Sequence, residues 1–196
     1  MNETIAYFDV DLEGRFERLR YEETNMANFV ADFILTEYEN VDIVLLNTGT
    51  LRSNSIMPAG DFTLRMFNDV LPMADKLIIM RISGTVLQSL LENSVSEWPT
   101  LDGRFAAFAG IKYSFDPDQP PGSRVHSILR ASDDSPLDLS SRFTVVAKHF
   151  IAVGRDGYDA FCYPSVQWLN DETTAMYVSD VVLGAFAQMA EGYTAG

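Results

Sequence analysis

A chain of 196 residues, 47% apolar and 12% aromatic, carries enough apolar material for one substantial core and too little length for two large domains. Its formal net charge of −14 repels phosphate backbones and anionic lipid, and the Lys and Arg residues are scattered singly, which excludes nucleic-acid and membrane-surface binding. The longest apolar runs, Ile43-Val-Leu-Leu46 and Leu77-Ile-Ile-Met80, fall far short of the roughly 20 residues that span a bilayer, so a soluble chain without membrane insertion is expected. No basic-then-apolar leader opens the sequence, and nothing in it addresses a compartment. The single cysteine, Cys162, excludes an internal disulfide and is expected as a buried small thiol.

In chain order, residues 1–19 read as a tail or linker. From Thr24 to Tyr38, apolar residues at Met26, Phe29, Val30, Phe33 and Ile34 recur at three- and four-residue spacing and predict a helix with one buried stripe, capped by Thr24 or Asn25. Val41 to Leu46 is a β-branched run suited to a strand buried on both faces. A turn at Pro58-Ala-Gly-Asp61 precedes a short helix from Phe62 to Val70, which ends before Pro72. Asp75 to Ile82 predicts a strand, and Ser83 caps a helix from Gly84 to Val95. Short strands follow at Ile111–Phe115, 124–129 and 143–147, with turn residues between them favouring antiparallel neighbours. An amphipathic helix over 173–189 is expected to dock on the sheet. These elements make an α+β fold, a mixed sheet with flanking helices, with one domain over 20–170 and its docking helix and tail over 171–196.

Several short motifs gain meaning from their order. Arg20-Tyr-Glu-Glu-Thr24-Asn25-Met26-Ala-Asn28, Asn47-Thr-Gly49-Thr-Leu-Arg52-Ser53, Leu71-Pro72, Leu91-Glu92-Asn-Ser, Gly103-Arg104-Phe105 and Gly154-Arg-Asp156-Gly157-Tyr158 together resemble the C-terminal domain of 5′-nucleotidases. The resemblance runs from about Arg20 to Phe161. It implies a substrate-specificity domain that recognises a nucleotide or nucleoside, while a separate N-terminal metallophosphoesterase domain holds two divalent metal ions and hydrolyses the phosphate. No cofactor is expected in this chain, and in isolation it is expected to be inactive. His126 and His149 are the only histidines, and neither sits in an Asp-x-His or Gly-Asn-His-Glu context.

Carried over position by position, the resemblance places Arg20 and Arg52 near the ribose and phosphate, where a planar guanidinium binds paired oxygens. Asn47 faces the base, Gly49 lets the backbone approach the ligand, Asp156 accepts from the ribose hydroxyls and Phe150 stacks on the base. Met73 stands where a second stacking aromatic belongs, turning an aromatic sandwich into a ring-and-thioether slot. Arg155 replaces a glycine and is expected to pair with Asp156 or reach a phosphate. Without the resemblance, plainer roles stay open: a strand-end turn for Asn47, a surface ion pair for Arg52 or Arg20, an Asp-Gly turn for Asp156 and core packing for Phe150. The alternative reading is a degenerate module of the same fold, used for interaction or homodimerisation through its apolar C-terminal helix.

Overall fold

The computed structural model describes residues 3–194, with side chains to Met189. Its strands and helices run, in order, β1 (Thr4–Phe8), β2 (Leu12–Glu13), α1 (Phe16–Leu19), α2 (Asn25–Thr36), β3 (Ile43–Asn47), β4 (Ile56–Met57), β5 (Gly60–Thr63), α3 (Leu64–Val70), β6 (Leu77–Ser83), α4 (Gly84–Ser94), β7 (Ala106–Ala109), β8 (Ile111–Phe115), β9 (Val125–Arg130), β10 (Arg142–Lys148), α5 (His149–Ala152), β11 (Gln167–Trp168) and α6 (Val178–Thr194).

The centre is a five-stranded mixed sheet in the order β11, β6, β10, β3, β7. β10 lies antiparallel to β6 and parallel to β3, while β7 runs antiparallel to β3. All five residues of β3 are buried, as its unbroken apolar run requires. Alternate side chains divide between two cores. The cross-strand row Ile78, Ala147, Leu45 faces α4 and the β8–β9 hairpin. The next row, Ile79, Val146, Val44 and Ala109, faces α2 and α6. A one-residue slip of β10 would exchange these faces, so the apolar pattern fixes its register.

Three helices start where short polar side chains reach back to the first turn. The hydroxyls of Thr24, Thr63 and Ser83 each accept a backbone N–H three residues on, at 3.3 Å in every case. Such caps contribute about 1 kcal/mol each. On α2 the buried stripe is Met26, Ala27, Val30, Ala31 and Ile34, and burying a large aliphatic side chain of this kind contributes roughly 1.5–3 kcal/mol. At the other end of α4, the buried Arg124 donates through Nη1 to the carbonyls of Val95, Ser96 and Trp98, while Glu92 accepts from the backbone of Arg124 and Val125. This pair ties α4 to the start of β9.

Some expectations change. Residues 4–19 are not a linker: β1 pairs with β5, β2 pairs with β4, and Leu12 and Leu19 are buried. The strand at 142–148 leaves the β8–β9 hairpin and enters the sheet centre, because its unbroken Val145-Val146-Ala147 run can only be satisfied where both faces are covered. The last helix begins at Val178, later than expected, after turns around Asp171. It packs on α2 and β1 more than on the sheet, with Phe186 among the rings of Phe8, Phe29, Phe33, Phe62 and Phe67. Of the apolar stripe expected on this helix, Met176, Val178, Val181, Val182, Ala185, Phe186 and Met189, the five residues from Val178 to Phe186 are buried within the chain itself, while Met176 and Met189 are exposed. Cys162 is exposed, not buried, because its short 3₁₀ turn, Asp159–Cys162, buries Ala160 and Phe161 instead. Among the described residues no helix is long and apolar enough to cross a membrane.

Candidate functional site

The strand directions bring the sequence-predicted residues to one end of the sheet. β3 ends at Asn47, its parallel neighbour β10 ends at Lys148, and the antiparallel β6 and β7 begin beside them at Leu77 and Ala106. Met73 lies in the loop entering β6 and Phe150 on α5, which follows β10 directly. Two bonds join these segments: the His149 N–H donates to the Lys76 carbonyl at 2.7 Å, and the almost wholly buried Lys148 ammonium meets Asp75 at 2.8 Å. Lys148 Nζ also sits 5.0 Å from the centre of the Phe150 ring. Both Met73 and Phe150 remain exposed, at 40% and 38%, which leaves them available to a flat ligand.

The polar residues are fixed more tightly. Asn47 Nδ2 donates to Asp156 Oδ2 at 2.8 Å, while Asn47 Oδ1 accepts from the Thr50 hydroxyl at 3.0 Å. Asp156 adopts a left-handed backbone, φ 54°, and its own carbonyl accepts from Asn93 Nδ2 at 3.0 Å. The next residue must be glycine: Gly157 has φ 75°, and a Cβ there would lie 2.6 Å from Asn93 Oδ1. The wholly buried Tyr158 closes the loop by donating from its hydroxyl to the Arg104 carbonyl at 2.6 Å. Burial holds that phenol well above its ordinary pKa. Gly49 donates its N–H to the Gly103 carbonyl at 2.9 Å, and the two glycine backbones approach so closely that an added Cβ at Gly49 would lie 3.3 Å from Gly103 Cα.

A pair of arginines stands next to this loop. The Arg20 guanidinium carbon lies 4.1 Å from the centre of the Phe16 ring, and that of Arg52 lies 5.5 Å from the same ring. Arg20 Nε is buried with no hydrogen-bond partner. Burial and the like charge of Arg52 hold Arg20 below the usual arginine pKa, while Asp102 and Asp156 pull it the other way. Two cations sharing one ring, one with an unsatisfied buried donor, form a setting that an oxyanion would relieve. Arg104 is already engaged, with Asp102, Ser96 and Glu97 within 3.5 Å. Arg155 is exposed and, among the described residues, makes no ion pair with Asp156.

The chain as a whole has counterparts in known proteins. A family model for the "5′-nucleotidase, C-terminal domain" matches residues 4–163. The chain belongs to this family. It is 32% identical over 166 residues to the Trifunctional nucleotide phosphoesterase protein YfkN of Bacillus subtilis, covering 82% of this chain and 11% of that protein. With the 5′-nucleotidase of Homo sapiens it shares 26% identity over 174 residues, covering 81% of this chain and 30% of the relative. Among solved structures, a 5′-nucleotidase precursor from Thermus thermophilus superposes with a TM-score of 0.88 at 30% identity, covering 96% of this chain and 37% of that one. The chain therefore spans well under half the length of these relatives.

Among the described residues, no three His, Cys, Asp or Glu side chains cluster to hold a metal ion, so they do not fit a two-metal centre. His126 bonds Ser114 at 3.1 Å, and His149 stands 3.8 Å from Glu172 with its ring edge-on to Trp168. Sequence reasoning missed three supports of the site. Asn93 and Arg104 lie inside recognised motifs, yet nothing in their spacing says that they brace the Asp156 loop. Phe16 precedes the motifs altogether; its only sequence signal is its position four residues before Arg20, one helical turn away.

Proposed function

We propose that this domain binds the nucleoside part of a nucleotide at the sheet end and presents the phosphate to a metallophosphoesterase domain outside this sequence, hydrolysis requiring both. The observation that carries the proposal is the Asn47–Asp156 hydrogen bond across 109 residues of chain, which holds a carboxylate in a preformed left-handed loop beside two arginines and an exposed ring. In this reading Asp156 accepts from the ribose hydroxyls, and Phe150 and Met73 take the base between them. Base stacking on an aromatic ring is worth about 1–3 kcal/mol. Arg20 and Arg52 bind the phosphate end, and Gly49 lets backbone come close to the ligand. The domain's contribution to catalysis is orientation, holding the phosphate for attack elsewhere. The two divalent metal ions belong with that other domain, where such a pair activates water and neutralises phosphate charge.

Calorimetric titration of the chain with adenosine, AMP and UMP, repeated on Asp156→Asn, tests this. Saturable binding weakened about tenfold in the variant is expected from losing a charged acceptor. Equal affinity in the two proteins would reject the site, and no nucleoside or nucleotide binding at millimolar ligand would reject the function.

A further inference from the structure

A second cavity of about 380 Å³ opens on the outer side of the same sheet end, between the start of α2, edge strand β7 and the adjoining β8. Arg20, Arg52, Phe150 and Asp156 do not line it. Its wall is a continuous arc of rings: Tyr21 and Trp98 have centroids 5.0 Å apart, Trp98 and Phe115 5.9 Å, Phe115 and Tyr113 6.3 Å, and Tyr113 and Phe108 5.3 Å. None of the five rings is fully buried. They come from three separate stretches of chain, around Tyr21, Trp98 and β7–β8, so their meeting is a product of the fold and not of one amphipathic element.

The polar groups around the cavity are almost all committed elsewhere. Trp98 Nε1 donates to the Tyr21 carbonyl at 3.1 Å, the Thr48 hydroxyl donates to the Phe105 carbonyl at 2.8 Å, and Lys112 pairs with Asp134 at 2.7 Å. Glu22 is paired with Arg18. Glu23 is different: its Oε1 accepts from Asn28 Nδ2 at 2.7 Å, but among the described residues no cation pairs with it. Its field reaches inward. The Tyr113 phenol is pushed up to about 12, by burial first, against the opposing Ser94 hydroxyl and with the Glu23 charge adding to it.

We propose that this cavity is a second ligand site, built for a small organic cation with an apolar body, which the aromatic arc receives through cation–π contact and Glu23 neutralises. The volume lies at the lower end of the roughly 300–1,000 Å³ typical of ligand pockets. Aromatic faces attract cations most strongly when water is displaced. An anionic ligand would meet the uncompensated Glu23 carboxylate, and a neutral polar one would find few unused partners. The site is independent of the nucleotide reading, since the two share no proposed contact residue.

The test uses Trp98 as its own reporter. Trp168→Phe removes the other tryptophan, and the chain is titrated with benzyltrimethylammonium while its fluorescence is followed. A saturable change is expected, weakened about tenfold by Glu23→Gln, which keeps an acceptor for Asn28, and by at least as much in Tyr113→Leu. Both variants are checked to melt cooperatively, and a second Glu23→Ala variant replaces Glu23→Gln should that one fail to fold. The proposal is overturned by any of four results: no saturable change at millimolar probe, an equal response to benzenesulfonate or benzyl alcohol, displacement of the probe by AMP, or a concentration-dependent dimer that Tyr21→Ala disperses.

Discussion

The two halves of the candidate nucleotide site are built to different standards. The polar half, from Asn47 through Asn93 to the Asp156–Tyr158 loop, is determined several times over by hydrogen bonds at 2.6–3.0 Å and by a buried phenol. The apolar half, Met73 and Phe150, stands exposed on the loop before β6 and on the short helix α5, tied together at their bases by Asp75–Lys148 and Lys76–His149. In the function proposed above, the first half would fix where a ribose sits, and the second would leave room to adapt to what the ribose carries. Rigid polar recognition and permissive stacking are a physical route to accepting several bases on one sugar.

The strongest way to break this contrast is Gly157→Ala. A side chain at φ 75° pressed against Asn93 should cost about 1–3 kcal/mol, lowering Tm by several degrees in a thermal melt and removing nucleoside binding with it. Phe150→Leu should do the opposite. Calorimetry should show roughly tenfold weaker binding with Tm nearly unchanged, because the ring is already exposed. Equal Tm losses in the two variants would erase the distinction between a preset and an adaptable half. A finer cut lies within the polar half: Phe16→Leu removes the ring shared by Arg20 and Arg52, so AMP affinity should fall roughly fivefold while adenosine affinity stays level. Parallel loss for both ligands would make Phe16 a packing residue only. Met73→Phe sharpens the comparison from the other side, supplying a second ring and about threefold tighter binding of an adenine nucleotide.

The smallest effect is alkaline. Tyr158 and Tyr113 have folded pKa values raised above their unfolded values, so the stability they contribute is complete below about pH 10 and is lost as pH rises through the folded pKa values. Urea titrations in this range should show a falling ΔG that is shallower in Tyr158→Phe. A slope unchanged by that substitution would mean the phenol is not buried in solution as it is in the structure.

Much of the fold was legible because it depends on local patterns. The caps at Thr24 and Ser83, the stripe of α2 and the apolar run of β3 all announce themselves within a dozen residues. What escaped the sequence is long-range pairing. The run at 143–147 reads as one more hairpin strand, and only competition for the doubly covered position beside β3 and β6 sends it to the centre. The site shows the same division. Asn47, Arg52 and Asp156 stand out by motif, whereas Phe16, Asn93 and Arg104 act through contacts distant in sequence, as between Phe16 and Arg52, or between Asn93 and Asp156, which are 63 residues apart. The exposure of Cys162 was equally invisible, since a 3₁₀ turn there depends on what Phe161 finds to pack against.

The central place of β10 has a consequence for the order in which the molecule comes into being. Its neighbours β3 and β6 leave the ribosome long before it, and the Asp42–Thr144 bond that begins the β3–β10 pairing spans 102 residues, about 5–20 s of synthesis. Until then β3 and β6 have no strand between them, and each presents an apolar edge. A nascent chain halted before Arg142 would therefore hold α2 and α4 without the strand that joins β3 to β6, and Asn47 would wait at an open edge for the segment that carries Asp156.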